Sequence, residues 1–223
     1  MDQLIEGFRR FRESYWRENR ELFEALTRGQ APRAMVIGCS DSRVDPQMIF
    51  GQEPGEIFVV RNIANLVPPF QASTDHHGTS AALEFAVRSL GVSHLIVLGH
   101  AHCGGIHALL QGPAGNPGDF VLPWMRIATA ARERALAAAG GDIEAAQRLC
   151  EQEGVRLSLG NLMTFPWVKE RVEDGRLALH GFYYDMDHGD LLVMDAQGRF
   201  RSVVAEGTGA PSCGCGSHGR HER

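Results

Sequence analysis

Five predominantly apolar runs constrain the fold of this chain more than any other feature. They extend from Ala34 to Gly38, from Glu56 to Arg61, from His94 to Gly99, from Leu177 to Asp185 and from Leu191 to Asp195. Runs of this length indicate buried strands, and the segments between them have helical periodicity. The short link between the last two runs favours a hairpin, so the final strand is expected to be antiparallel. We therefore predict an α/β fold, with a mainly parallel β-sheet of four strands plus an antiparallel edge strand, flanked by helices.

Three segments are predicted along the chain. Residues 1–28 form an N-terminal helical arm, residues 29–206 a single α/β catalytic domain, and residues 207–223 a flexible tail. The arm has apolar side chains at helical spacing: Leu4, Phe8, Phe11, Tyr15, Leu22 and Leu26. Such a face needs a partner surface, provided either by the rest of the chain or by another subunit. The tail contains Cys213, Cys215, His218 and His221, which have a metal-binding composition but no assigned role.

Charge and composition exclude several classes of protein. The formal net charge is -5, so no overall positive field attracts the chain to nucleic acid. No apolar run approaches the roughly 20 residues that span a bilayer, and the N-terminus lacks the apolar core of a signal peptide. We therefore expect a cytoplasmic protein that binds neither nucleic acid nor membrane. In a cytoplasmic chain of this size, the five cysteines favour metal binding or catalysis over disulfides. Cys150 is the exception, since we expect it to be a small buried side chain in a helix.

Two of the predicted strands end in residues that can bind a soft metal ion. Cys39 and Asp41 follow the first run, and His100 and Cys103 follow the third. If these two strands are neighbours in the sheet, the four side chains converge at its carboxyl edge. Cysteine thiolates together with imidazole select zinc over hard cations such as magnesium. His102 is left out of the ligand set, because neighbouring side chains on an extended segment point apart.

The motifs around these residues resemble those of the β-class carbonic anhydrases. The similarity is carried by Cys39-Ser-Asp41-Ser-Arg43, Val60-Arg61-Asn62-Ile63-Ala64-Asn65 and Gly99-His100-x-x-Cys103-Gly-Gly, with Gly29-Gln30-Ala-Pro, Ser158-Leu-Gly-Asn161-Leu and Leu179 to Asp185. The late segments are more similar to the plant-type branch than to the bicarbonate-regulated bacterial branch. That regulated branch has a tryptophan where this chain has Val36, although Arg61 and Tyr184 match its other regulatory positions.

The resemblance implies the zinc-dependent, reversible hydration of carbon dioxide to bicarbonate and a proton. One Zn2+ ion per subunit would be held by Cys39, His100 and Cys103, with a water molecule as the fourth ligand and source of hydroxide. Asp41 would orient that hydroxide in an open state, or bind zinc as a fourth protein ligand in a closed state. Arg43 would pair with Asp41 and keep it off the metal. Since two thiolates make zinc a weaker Lewis acid, we expect the activity to increase towards alkaline pH.

The resemblance also implies a small apolar substrate pocket at a subunit interface. Gln30 would donate to a substrate oxygen, and Phe58, Ile63 and Phe85 would form the wall, with ordinary core packing as the other interpretation of these three. The chain would form a homodimer or a higher even-numbered homo-oligomer. Gly104 and Gly105 are expected to let the chain approach the metal closely and to begin a helix. His76 and His77 are either proton carriers or solvated loop residues.

Two further functions agree with the same residues. One is the hydrolysis of carbonyl sulfide or carbon disulfide, which are linear molecules like carbon dioxide. The other is a non-catalytic zinc-binding protein, in which Asp41 would close the site permanently. The sequence does not separate the first alternative from carbon dioxide hydration, whereas Arg43 beside Asp41 argues against the second.

Overall fold

A six-stranded sheet forms the centre of the protein, whose computed structural model describes residues 1–73, 75–112 and 118–204. The strands are β1 Ala34–Cys39, β2 Ile57–Asn62, β3 His94–His100, β4 Ala178–Asp185, β5 Asp190–Met194 and β6 Phe200–Ser202. Their order in space is β2-β1-β3-β4-β5-β6. The first four are parallel and the last two are antiparallel to their neighbours. The predicted α/β fold with four parallel strands is confirmed.

The edge of the sheet differs from the prediction. β5 is antiparallel as expected, but β6 pairs with its outer side and takes the edge position. The three residues of β6 are too few to produce a recognisable alternation in the sequence. Tertiary contacts stabilise this strand instead: the Phe200 ring packs against Tyr183, and Arg201 Nε donates to Asp195 at 2.8 Å.

Helices cover both faces of the sheet and form the arm. They are α1 Asp2–Phe11, α2 Arg20–Leu26, α3 Pro46–Phe50, α4 Gly78–Glu84, α5 Gly104–Gln111, α6 Val121–Met125, α7 Thr129–Ala139, α8 Ile143–Leu162 and α9 Pro166–Glu173. Two π-helical segments, Arg12–Trp16 and Phe85–Leu90, continue α1 and α4, and Ile63–Asn65 and Arg126–Ala128 form 3₁₀ turns. The Asp142 carboxylate caps α8 by accepting the N–H groups of Glu144 and Ala145.

The core lies in two clusters of buried side chains. Met35 and Ile37 of β1 belong to the larger cluster, together with Leu95 and Val97 of β3. The second cluster contains Cys39, Cys103 and Cys150, so the expectation of a buried Cys150 is confirmed. Because β1 and β3 are interior strands, their carboxyl ends are supported by packing on either side.

The arm is not the single helix that the apolar spacing predicted. After the π-helical segment the helix is interrupted at Asn19, whose φ of -108° and ψ of 35° are not helical, and α2 begins one residue later. No residue of α1 is buried, and Leu4 and Phe8 are 73% and 62% exposed. Leu26 lies against the backbone of Gly55, which ties the end of the arm to the domain.

The structure describes the predicted arm and most of the predicted α/β domain, but not the predicted tail. Cys213, Cys215, His218 and His221 lie outside the described residues, and the division at residues 28 and 206 stays a prediction. None of the helices in the described part of the chain has the length and apolar character of a membrane-spanning helix.

Candidate metal centre and active site

Three potential metal ligands converge at the carboxyl edge of the sheet. Cys39 is the last residue of β1 and His100 the last residue of the adjacent β3. The chain then turns so that Cys103 precedes α5 directly. One atom from each side chain, the two Sγ atoms and an imidazole nitrogen, lies within 4.8 Å of the others. The structure therefore brings together the three ligands predicted from the sequence, and it leaves His102 out.

The imidazole of His100 is oriented for a ligand. Its Nδ1 is 2.8 Å from the backbone oxygen of Ala101, to which it donates, so Nε2 carries the lone pair. This Nε2 atom is buried and has no hydrogen-bond partner. A buried nitrogen without a partner is rare and costly, unless it binds a metal ion. Two thiols and this nitrogen, three protein ligands in total, fit a zinc ion with one position left for solvent.

The thiols of Cys39 and Cys103 interact, and their pKa values shift in opposite directions. A hydrogen bond from the Cys103 thiol, opposed in part by burial, lowers the pKa of Cys39 to about 4. The same hydrogen bond and burial raise the pKa of Cys103 far above its usual range. The lowered pKa favours the thiolate form of Cys39, the form in which cysteine binds metal.

Asp41 is held by Arg43 in a two-pronged ion pair. The Nε atom of Arg43 is 2.9 Å from Asp41 Oδ1, and its Nη2 atom is 2.7 Å from Oδ2. The backbone N–H of Arg43 also donates to Oδ1. These contacts hold the pKa of Asp41 well below its usual range. The carboxylate is thus ionised, paired and separate from the group formed by the two cysteines and the histidine.

Arg61 holds the loop that carries Asp41. Its Nε atom donates to the backbone oxygen of Cys39 at 2.7 Å, and Nη2 donates to that of Asp41 at 2.6 Å. Its Nη1 atom lies 3.2 Å from the carboxylate of Asp45. All three nitrogens of this guanidinium are therefore used for fixing the loop in this structure. Val36, which occupies the position of the tryptophan of the bicarbonate-regulated branch, is fully buried in β1.

A cavity of about 730 Å³ opens beside these residues. Its lining includes Ser40, Asn62, Ile63, His76, His77, Val121 and Trp124. The indole N–H of Trp124 donates to the backbone oxygen of Ile63 at 2.8 Å, which fixes the apolar side of the cavity. Ile63, predicted for the substrate pocket, lies here, and so do both loop histidines.

Comparison with known proteins agrees with this geometry. Residues 34–191 match the family model described as carbonic anhydrase. A relative named beta carbonic anhydrase 6, mitochondrial, from Arabidopsis thaliana is 40% identical over 189 residues, which are 83% of this chain and 64% of the relative. The chain belongs to the β-carbonic anhydrase family. The resemblance predicted from the motifs is confirmed, and the chain spans less than two thirds of that plant relative's length.

Solved structures of β-carbonic anhydrases have the same fold. The structure of the β-carbonic anhydrase CcaA has a TM-score of 0.86 and 37% identity, and the match covers 91% of both chains. Tetrameric β-carbonic anhydrases from Sordaria macrospora match with a TM-score of 0.76 and 28% identity, covering 91% of this chain and 95% of theirs.

Three other residues predicted for the substrate pocket lie outside the cavity. Phe58 is paired with Met35 near the start of β2, and its ring centroid is 5.9 Å from that of Phe85. Gln30 is exposed and precedes β1, so it lies towards the opposite edge of the sheet from Cys39. A role for these three residues in substrate binding stays a prediction.

The sequence analysis missed Glu151, a residue of α8 that supports the turn carrying Cys103. Its side chain is almost completely buried, and Oε1 accepts the backbone N–H of Cys103 at 2.9 Å and the amide of Gln147 at 3.0 Å. Its Oε2 accepts the hydroxyl of Tyr183 at 2.8 Å. Glu151 shares one face of α8 with Val155 and Ser158, both fully buried. A charged residue on such a face is the sequence signal that could have identified it.

The two glycines after Cys103 begin α5, as the sequence predicted. A Cβ at Gly105 would lie 2.7 Å from Cγ2 of Ile63 and 3.2 Å from Cβ of Ala64, whereas one at Gly104 would meet nothing within 4 Å. Gly105 therefore permits close packing of α5 against the 3₁₀ turn after β2, and a close approach of these glycines to a metal ion stays a prediction.

Proposed function

We propose that this chain catalyses the reversible hydration of carbon dioxide to bicarbonate and a proton, with one Zn2+ ion per subunit held by Cys39, His100 and Cys103. The observation that carries the proposal is the buried, unpartnered Nε2 of His100, which lies with two thiols beside a carboxylate held by arginine. A bound zinc ion lowers the pKa of a coordinated water molecule, so that hydroxide is available near neutral pH.

The residues around the ligands supply orientation. Asp41 stays ionised because Arg43 holds it, and it accepts a hydrogen bond from the attacking oxygen, which aims the oxygen lone pair at carbon dioxide. Arg43 also keeps the carboxylate away from the ligand cluster. Ile63 provides apolar surface for a small apolar substrate, and Ser40 and Asn62 bring polar groups to the same cavity.

We also propose that the active form is a homodimer or a larger even-numbered homo-oligomer. The uncovered apolar residues of α1 and the 47% exposed ring of Phe85 support this assembly, as does the likeness to tetrameric relatives. A second subunit would provide a place for Gln30, Phe58 and Phe85 in substrate binding, since none of the three lines the cavity of their own chain. The cytoplasmic location stays a prediction, because the plant relative carries a mitochondrial name.

Stopped-flow measurement of carbon dioxide hydration tests the function. The protein as purified should contain one zinc ion per chain and hydrate carbon dioxide. A chelator should abolish the activity, and added zinc should restore it. Asp41→Asn, which keeps the size of the side chain, should retain zinc and lose most of the activity. Absence of bound metal, or full activity of Asp41→Asn, contradicts the proposal.

Measurements on the same purified protein distinguish carbon dioxide hydration from the two alternative functions. Turnover of carbonyl sulfide or carbon disulfide above that of carbon dioxide would assign the site to hydrolysis of those molecules. A zinc protein without either activity, with Asp41 bound to the metal at every pH, would be the non-catalytic alternative. The two-pronged pairing of Asp41 with Arg43 supports an open site over that permanently closed one.

A further inference from the structure

His102 has an unusual backbone conformation between two metal ligands. Its φ is +55°, in the left-handed region, where few residues other than glycine are found. Such a conformation persists only when surrounding contacts impose it. Its backbone oxygen accepts a hydrogen bond from Arg43 Nη2 at 3.0 Å. The same Nη2 atom donates to Oδ2 of Asp41. The conformation of residue 102 thus positions its backbone oxygen, and this oxygen helps to hold Arg43 against Asp41.

The imidazole of His102 is held by a contact with the turn between β4 and β5. Its Nε2 atom lies 2.9 Å from both carboxylate oxygens of Asp187, in the turn between β4 and β5. Asp187 is itself held, because its backbone N–H donates to Asp185 and Arg148 lies 4.0 Å from its carboxylate. A line of contacts therefore runs from Asp187 through His102 and Arg43 to Asp41.

We propose that His102 and Asp187 are positioning residues for Asp41. Their contact holds residue 102 in its left-handed conformation with the carbonyl directed at Arg43, and this favours the arrangement in which Asp41 stays paired and away from the metal ligands. Without the contact, residue 102 relaxes, Arg43 loses one acceptor, and Asp41 is freer to turn towards the ligands. The inference rests on the proposed function only for its effect on activity.

The first test uses the metal-free protein and is independent of catalysis. The Nε–H of Arg43 is tied to Asp41 at 2.9 Å, so its NMR signal should exchange slowly with water. We expect Asp187→Ala and His102→Ala to lose this protection. Asp187→Asn, which keeps an acceptor oxygen, and His102→Gly, which adopts a positive φ without strain, should retain much of it. Asp174→Ala is the matched control, since it removes an exposed aspartate paired with Arg176 far from the site.

The second test follows the ligands directly in the cobalt(II)-substituted protein. We expect Asp187→Ala to change the visible absorption spectrum, because Asp41 enters the ligand set, and to reduce kcat for hydration about 10-fold. The spectral change should be absent in the double variant Asp187→Ala/Asp41→Asn, in which no carboxylate is available at residue 41. The inference would be overturned if Asp187→Ala showed the same exchange rate of the Arg43 Nε–H and the same cobalt spectrum as the wild-type protein. If the wild-type protein hydrates no carbon dioxide but the exchange results hold, the proposed function fails and the positioning role stands.

Discussion

The buried carboxyl group of Glu151 accepts the backbone N–H of Cys103, with the nitrogen 2.9 Å from Oε1. Through its other oxygen the same carboxyl group accepts the hydroxyl of Tyr183 in β4. One side chain of α8 therefore links the turn that carries Cys103 to the strand beside it. Burial raises the pKa of Glu151, against the hydrogen bonds that favour its charged form.

Removal of this carboxyl group should destabilise the fold. We expect Glu151→Ala to lower the free energy of unfolding by about 1–3 kcal/mol for each buried donor left without a partner. Glu151→Gln should cost much less, because its amide oxygen still accepts from Cys103 while its amide nitrogen donates to the oxygen of Tyr183. Urea unfolding of both variants measures the difference. Equal losses in the two variants would mean that these hydrogen bonds contribute little.

The raised pKa of Glu151 gives this contribution a defined dependence on pH. A buried acid with a raised pKa is most favourable when protonated, so its contribution is fully present below the unfolded pKa of about 4.3. It is lost as the pH rises through the higher pKa of the folded state. Relative to Glu151→Gln, the wild-type protein should therefore lose stability over that interval. Unfolding curves at a series of pH values would contradict this if the difference were constant.

The close packing at Gly105 should make this position intolerant of a side chain. A Cβ there would lie 2.7 Å from Cγ2 of Ile63, so Gly105→Ala should reduce both stability and activity. Gly104→Ala is the matched control, since its Cβ would meet nothing within 4 Å. Because the clash involves a side chain, Ile63→Ala in the same chain should restore part of the lost stability. Thermal unfolding of the single and double variants shows whether that recovery occurs.

Cys39 should carry a negative charge in the metal-free protein. Its pKa of about 4 predicts a thiolate absorbance at 240 nm that appears as the pH is raised from 3 to 6. Cys39→Ser should remove this absorbance, and Cys103→Ala should move its midpoint to higher pH because the donated hydrogen bond is lost. Burial raises the pKa of Cys150 to about 12, so this thiol does not contribute in the same range. A midpoint near the ordinary cysteine value of about 8.5 would be inconsistent with the pairing of the two thiols.

Arg61 should be needed for the geometry of the Asp41 loop. Arg61→Lys keeps the charge, but an ammonium cannot reproduce three contacts that arise from a planar fork. We expect a decrease in metal affinity or hydration rate of about 10- to 100-fold, as is usual for groups that support a metal site indirectly. Arg88→Lys, which changes an exposed ion pair on α4 and its continuation, provides the control. An effect no larger than that of the control would remove Arg61 from this role.

The sequence predicted the convergence of Cys39, His100 and Cys103 because their positions follow from strand geometry. Cys39 and His100 each end an apolar run, and parallel neighbours bring such ends together. Glu151 escaped prediction because its importance lies in a contact with Cys103 that is 48 residues away along the chain. The places of Gln30 and Phe58 could not be derived either, since the surface proposed to complete their surroundings belongs to a second subunit.

The interior position of β1 and β3 has a consequence for how the protein opens. Both ligand-bearing strands are paired on two sides, so their amide hydrogens exchange with deuterium only when a large part of the molecule unfolds. The exposed arm exchanges long before them. A metal ion held by Cys39, His100 and Cys103 would therefore leave through movement of the turns at the sheet edge, while the strands beneath them remain closed.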